Sequence, residues 1–147
     1  MRLALFEPDI PQNTGTLMRT AACLGVPLDI IEPCGFLLSD KNLKRAGMDY
    51  LEHLDLTRHA SWEAFLEKSA GARLVLMTTK TDDSYLDFKF EKDDILLAGR
   101  ESAGVPPPVH DHCASRVTIP MKSGLRSLNV AIASAMILGE ALRQTRA

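Results

Sequence analysis

The sequence predicts an α/β domain built on a mainly parallel sheet with helices on both faces. Three observations carry that prediction: short runs that are apolar at every position, helical stretches between them, and turn-forming residues at the ends of the runs. A strand with no polar side is covered on both faces, which is the situation of a parallel sheet clad in helices.

Taken in order, Leu3–Phe6 is the first such run. The polar turn EPDIPQNTG follows, and a helical pattern runs from about Thr14 to Leu24. Pro27–Ile31 reads as a second strand, and Asp40–Ala46 as a short helix. Ser61 opens another helix, with Glu63 in its first turn and Trp62, Phe65 and Leu66 on one face. RLVLMT (Arg73–Thr78) and ILLA (Ile95–Ala98) are further apolar strands, and Arg116–Ile119 is the last. The final helix is predicted from about Ser127 to Arg143, with Ser127 placed to cap it.

That final helix is apolar nearly all round. One stripe is Leu128, Ile132, Ala135, Gly139 and Leu142; the other is Val130, Ala133, Ile137 and Ala141. Such a helix is buried on more than one side. The core of its own chain can cover one side and a second copy of the chain the other. Small residues at Ala131, Ser134, Ala135 and Gly139 are expected to let that copy approach closely.

The 147 residues suit a single domain spanning 1–147. The composition, 46% hydrophobic and 24% charged, is that of a globular chain. No apolar run approaches the roughly eighteen residues of a membrane span, and Glu7, Pro8 and Asp9 interrupt any secretory leader. Cys23, Cys34 and Cys113 are odd in number and far apart, which favours reduced thiols and a cytoplasmic location. Net charge is −2, so nothing in the chain as a whole calls for nucleic acid. Charge is nevertheless uneven: Arg116, Lys122 and Arg126 stand in a segment without acids, and Lys41, Lys44 and Arg45 face only Asp40. A mildly acidic protein can carry a local basic face.

In parallel α/β sheets ligands bind beyond the carboxyl ends of the strands. The loops there are Glu7–Gly15, Gly99–Pro106 and Pro120–Arg126, each rich in glycine or proline and each holding polar residues. None contains GxGxxG or GxxxxGK[ST], so the common phosphate cradles are excluded. No GxSxG occurs, and Ser127 has no evident histidine partner, which argues against a hydrolase triad. His110, His112 and Cys113 follow three prolines without a second ligand cluster; they read as an exposed loop, and no metal is expected. His53 and His59 read as structural or RNA-facing.

Three segments in order, NTGTLMRTAACLG (Asn13–Gly25), ILLAGRESAGVP (Ile95–Pro106) and IPMKSGLRSLNVAIASAMILGEAL (Ile119–Leu142), resemble the motifs of the SPOUT class of RNA methyltransferases. The FEPDIPQNTG opening, IIEPCGF and KNLKRAGMDY resemble the small members that methylate the 2′-hydroxyl of the tRNA wobble nucleotide, position 34. The resemblance implies a C-terminal trefoil knot, S-adenosylmethionine as methyl donor, a homodimer through the C-terminal helix, and the tRNA anticodon stem-loop as partner. It implies donor contacts by Met77, Thr78, Gly99, Gly104, Ile119, Met121, Ser127 and Leu128. It places Arg19 beside the reacting ribose, with Glu101, Ser127 and Asn129 as the other catalytic positions. Arg19 is a poor base, since its pKa exceeds about 12, and is better suited to binding phosphate or polarising the hydroxyl. Asn13 is expected to brace its loop or cap the first helix, and Glu101 to pair with Arg19, Arg100 or Arg126. Lys41, Lys44, Arg45 and Arg126 are the expected grip on RNA.

The resemblance has departures. Relatives commonly carry Gly-Pro-Glu where this chain has Gly99-Arg100-Glu101, often an arginine where Ala103 stands, and an aromatic residue where Gly139 stands. The same chemistry on another tRNA position or on ribosomal RNA is the alternative, followed by a non-catalytic RNA-binding protein. Relatives acting on other RNAs often carry extra N-terminal domains, which favours the wobble reading here.

Overall fold

The structure, a computed structural model, describes residues 1–39, 41 and 48–146, with side chains from residue 50 in the last span. Six strands form one sheet: β1 (Arg2–Phe6), β2 (Leu28–Ile31), β3 (Leu56–His59), β4 (Leu74–Met77), β5 (Ile95–Ala98) and β6 (Ser115–Val117). Their spatial order is β3-β2-β1-β5-β4-β6, and every pairing is parallel. Parallel neighbours cannot be joined by a tight turn, so each connection crosses a face of the sheet.

Alternation along the strands divides the core in two. Leu3, Leu5, Leu28, Ile30, Val75, Leu96 and Val117 point to one face, where α1 (Pro11–Leu24) and α4 (Val130–Thr145) pack. Ala4, Phe6, Ile31, Leu74, Leu76, Ile95 and Leu97 point to the other, beneath α2 (Trp62–Lys68) and α3 (Pro107–His112). Burying a side chain such as Leu96, which is wholly covered, contributes roughly 1.5–3 kcal/mol. The strand composition thus secures the layered arrangement.

Local chemistry sets the helix limits. Pro11 begins α1, where its missing N–H is harmless. Gly25, at φ 64°, ends it, and its N–H donates to Ala22 O. The Ser61 hydroxyl accepts from Ala64 N at 3.1 Å and caps α2.

Some boundaries differ from the sequence expectation. The last helix begins at Val130, and its cap is Asn129, whose Oδ1 accepts from Ala131 N at 2.9 Å and Ile132 N at 3.2 Å. Ser127 therefore does not cap it. The HDHC segment is not a loop: Pro107 and Pro108 open α3, Cys113 is buried, and His112 stands edge-on to Trp62. β3 and a short 3-10 helix at Met48–His53 were not foreseen. His59 is structural: it is buried, and its Nε2 lies 2.8 Å from Asp29 Oδ1, whose carboxylate also accepts two bonds from Arg2. The expected Asp40–Ala46 helix lies outside the described residues except for Lys41.

One connection bears directly on the site. Thr78 N donates to Val117 O at 3.0 Å, so the end of β6 is bonded to the end of β4. On its other side Thr118 N donates to Asp83 O at 2.8 Å, and Tyr85 N donates to Thr118 O at 2.9 Å. The chain leaving β6 thus runs between the two ends of the 78–85 segment. No helix among the described residues is long and apolar enough to cross a membrane.

Candidate active site

The carboxyl ends of β4, β5 and β6 open into one cavity of about 590 Å³, within the range of small-molecule sites, roughly 300–1,000 Å³. Its floor is apolar: Leu76, Ala98 and Val117 from the strands and Ile137 from α4. Its mouth carries Lys80, Arg100, Glu101 and Arg126. The walls are the loops after β4, β5 and β6 and the first two turns of α4. All eight residues expected at the donor, Met77, Thr78, Gly99, Gly104, Ile119, Met121, Ser127 and Leu128, line it.

The Gly99–Gly104 loop is folded back on itself. Arg100 N donates to Gly104 O and Gly104 N to Arg100 O, both at 2.9 Å. Gly104 has φ 62°, and a Cβ on Gly99 would lie 2.7 Å from Gly104 C. A side chain at either position breaks this closure.

Glu101 does not pair with an arginine. Asp9 N donates to Glu101 Oε2 and Glu101 N donates to Asp9 Oδ1, both at 3.1 Å, while Ser102 Oγ donates to the Asp9 carboxylate. Burial raises the Glu101 pKa above the ordinary glutamate value, and the neighbouring Asp9 carboxyl adds to it. The Asp9 pKa is lowered, chiefly by its hydrogen bond with Glu101. The two carboxyls therefore titrate as a pair, Asp9 losing its proton before Glu101 as pH rises. Arg100, freed from Glu101, pairs with Glu7 and lies 5.7 Å from the Phe6 ring centroid. Glu7 itself has φ 41°, an uncommon conformation for a side-chain-bearing residue.

Asn129 is held from both directions. Besides capping α4, its Nδ2 donates to Asn13 Oδ1 at 3.0 Å, tying the start of α1 to the start of α4. Asn13 therefore braces rather than caps, since it sits inside α1. Ser127 lines the cavity and is exposed.

Arg19 is not among the lining residues. It is exposed on α1, its guanidinium 4.7 Å from the centroid of the Tyr50 ring and 3.2 Å from the Tyr50 hydroxyl, to which it donates. Of the basic residues expected to meet RNA, Arg126 borders the mouth and Lys41 is exposed elsewhere; Lys44 and Arg45 lie outside the described residues.

Sequence reasoning passed over four residues of the site. Glu7 and Asp9 were read only as parts of a turn, and Lys80 received no reading. Ser134 was counted as a small residue at a subunit contact, but Ala131 and Ser134 face inward and are buried. A serine in an otherwise apolar helix was the available signal for it.

The cavity fits a mixed apolar and polar ligand. Among the described residues, two buried side-chain polar atoms have no partner, Arg100 Nε and Ser134 Oγ, and both residues line this cavity. Buried polar atoms are nearly always satisfied, so both are available to a ligand. Among the described residues no cluster of His, Cys, Asp or Glu could hold a metal ion.

The chain belongs to the SpoU rRNA Methylase family, whose sequence model matches residues 1–139. Its nearer relatives include the tRNA (cytidine(34)-2'-O)-methyltransferase of Beijerinckia indica, 58% identical over 99% of this chain and 92% of that protein. The protein of the same name from Escherichia coli K12 is 39% identical over 98% of this chain and 93% of its own length. A solved structure described as structural insights into the 2-OH methylation of C/U34 on tRNA superposes with a TM-score of 0.91. It is 46% identical and covers 97% of this chain and 94% of that one. The SpoU methyltransferase AviRb of Streptomyces viridochromogenes, solved in complex with AdoMet, gives a TM-score of 0.86 at 30% identity, over 98% of this chain and 60% of that one.

Proposed function

We propose that this protein is an S-adenosylmethionine-dependent tRNA 2'-O-methyltransferase that modifies the ribose of the wobble nucleotide, cytidine or uridine 34. The observation that carries the reading is the convergence of segments far apart in sequence on one cavity, with Ser127, Asn129 and Glu101 all at its edge. The relatives named for this reaction match nearly the whole chain.

When bound, S-adenosylmethionine supplies a methyl group made electrophilic by its sulfonium. The chain has three tasks. Met77, Thr78, Ile119, Met121 and Leu128 hold the donor between strand ends and the start of α4, with Gly99 and Gly104 keeping the backbone close. Asn129 and Asn13 fix the entrance to α4. Arg19 polarises the 2'-hydroxyl or binds the adjoining phosphate, since a guanidinium that stays charged is a poor base. Because Arg19 lies outside the cavity of its own chain, this role calls for a second copy nearby or for an RNA that spans the two. Arg126 and Lys41, with Lys44 and Arg45, contact the anticodon backbone, an interaction weakened by salt.

The protein acts as a homodimer through α4. Ile132 and Met136 of α4, with Leu128 just before its cap, form an apolar patch, 56%, 40% and 41% exposed in the single chain. Such a patch marks an interface. Leu128 and Ile132 belong to the first stripe expected from sequence, whose Gly139 is exposed too; Ile137 and Ala141 of the second are buried in their own chain, and Leu142 departs from the expectation in being buried with them. A single domain spans 1–147, and its C-terminal segment is threaded as a trefoil knot. In support, Val117 and Thr118 are hydrogen-bonded on opposite sides to Thr78 and to Asp83 and Tyr85. A cytoplasmic location follows from tRNA as substrate.

The test is methylation of unmodified tRNA with labelled donor, followed by nucleoside mapping. Label in 2'-O-methylcytidine or 2'-O-methyluridine at position 34 is expected. Label at another position, or in ribosomal RNA only, overturns the assignment.

A further inference from the structure

Ser134 lies in the second turn of α4 with its side chain 1% exposed, and it lines the cavity beside Ala133 and Ile137. Its hydroxyl has no hydrogen-bond partner. The other aliphatic hydroxyls carried by α1 and α4 behave differently. Thr14 donates to Ile10 O, Thr16 to Gln12 O, Thr20 to Thr16 O and Thr145 to Ala141 O, at 3.4, 3.0, 2.8 and 2.8 Å. Donation to the carbonyl four residues back is the ordinary resort of such a side chain. Ser134 alone forgoes it, in a helix whose neighbouring positions are alanine. Alanine would be the better helix former there, and an unpaired buried hydroxyl is unfavourable.

The surroundings indicate which part of a ligand it meets. Leu76, Ala98, Val117 and Ile137 make the floor apolar, while Lys80, Arg100, Glu101 and Arg126 stand at the mouth. A single hydroxyl on an apolar floor suits the polar edge of a neutral, flat heteroaromatic ring. The charged end of a ligand belongs with the charged groups at the mouth.

We infer that the Ser134 hydroxyl is a donor-site contact that hydrogen-bonds a ring or exocyclic nitrogen of the bound adenine. The inference rests on the methyl-donor reading above and adds to it a side chain that recognises the base. Its test separates the two. The wild-type protein and Ser134→Ala are titrated calorimetrically with S-adenosylhomocysteine and with methylthioadenosine, which lacks the amino-acid end. Both are also melted without ligand.

The expected result is about tenfold weaker binding of both ligands by Ser134→Ala, equivalent to about 1.4 kcal/mol. The ligand-free melting temperature should be unchanged or higher, because a buried unpaired hydroxyl has been removed; a merely structural hydroxyl would lower it. Equal affinity of wild type and Ser134→Ala for S-adenosylhomocysteine overturns the inference and leaves the donor site standing. A loss seen with S-adenosylhomocysteine but absent with methylthioadenosine overturns it too, since the hydroxyl would then meet the amino-acid end. Failure of the wild type to bind S-adenosylhomocysteine sinks the donor-site reading and the inference together.

Discussion

Replacing Asp9 with alanine removes one half of a reciprocal clasp. The Asp9 carboxylate accepts from Glu101 N at 3.1 Å and from Ser102 Oγ; the other half, Asp9 N to Glu101 Oε2, survives the substitution. Hydrogen bonds to charged groups contribute about 1.5–3 kcal/mol where well buried. This site is only partly buried, so about 1 kcal/mol for each of the two lost bonds is appropriate, and the total is about 2 kcal/mol. For a domain of this size that lowers the melting temperature by roughly 4–8 °C. Because the clasp tethers the Gly99–Gly104 loop, which lines the cavity, S-adenosylhomocysteine should also bind several-fold more weakly.

The pH dependence of the clasp has a definite sign. The lowered pKa of Asp9 contributes stability that is present above its unfolded value and lost as pH falls through the folded one. The raised pKa of Glu101 contributes stability that is present below its unfolded value and lost as pH rises through the folded one. Both contributions are whole only between the two unfolded-state values, where Asp9 is ionised and Glu101 protonated. Thermal melts of wild type and Asp9→Ala from acidic to neutral pH should differ most there. The gap should close as pH falls through the folded Asp9 value and narrow without closing as pH rises through the folded Glu101 value, because the ionised Asp9 carboxylate still accepts from Glu101 N and Ser102 Oγ. Parallel curves, separated by less than about one degree throughout, would refute this account of the clasp.

Gly99→Ala should abolish S-adenosylhomocysteine binding by calorimetry, because its Cβ would sit 2.7 Å from Gly104 C and 2.9 Å from Gly104 Cα; retention of micromolar affinity would show that the loop yields. Arg19→Ala should bind S-adenosylhomocysteine as the wild type does and lose methyl transfer about a hundredfold, or about 2.7 kcal/mol of barrier; near-normal turnover at saturating tRNA would remove Arg19 from the reaction. Ile132→Glu places a charge in the exposed patch on α4 and should convert a species of about twice the 16.2 kDa chain mass into a folded monomer by light scattering. A wild type that is already monomeric and active would end the dimer proposal.

The sequence by itself determined the sheet and its two covered faces, because continuous apolar runs such as Leu3–Phe6 and Ile95–Ala98 leave no polar side to expose. It also named two of the loops that wall the cavity, Gly99–Pro106 and Pro120–Arg126, since strand ends of a parallel sheet share one edge; of Glu7–Gly15 only Ile10 and Asn13 reach the cavity, and the loop after β4 entered through the family resemblance alone. β3 escaped notice because Thr57 and Arg58 interrupt it: an edge strand has a neighbour on one side only, and LTRH carries no periodic signal. Ser127 and Asn129 are both capping residue types, so composition could not choose between them. The bonds that Asn129 accepts from Ala131 N and Ile132 N, and the one it donates to Asn13 Oδ1, settle the choice for Asn129 only once the chain is folded. Arg19 follows Asn13 by six residues, a rotation of about 240° around a helix. That rotation separates the two residues of one motif, so Asn13 lines the cavity and Arg19 stacks on Tyr50. Asp9 and Glu101 stand 92 positions apart, and Ser134 looked like one more small residue of an apolar helix. Whether such groups pair or stand unpartnered depends on which surfaces the fold brings within about 3 Å, and that was decided by the tertiary structure alone.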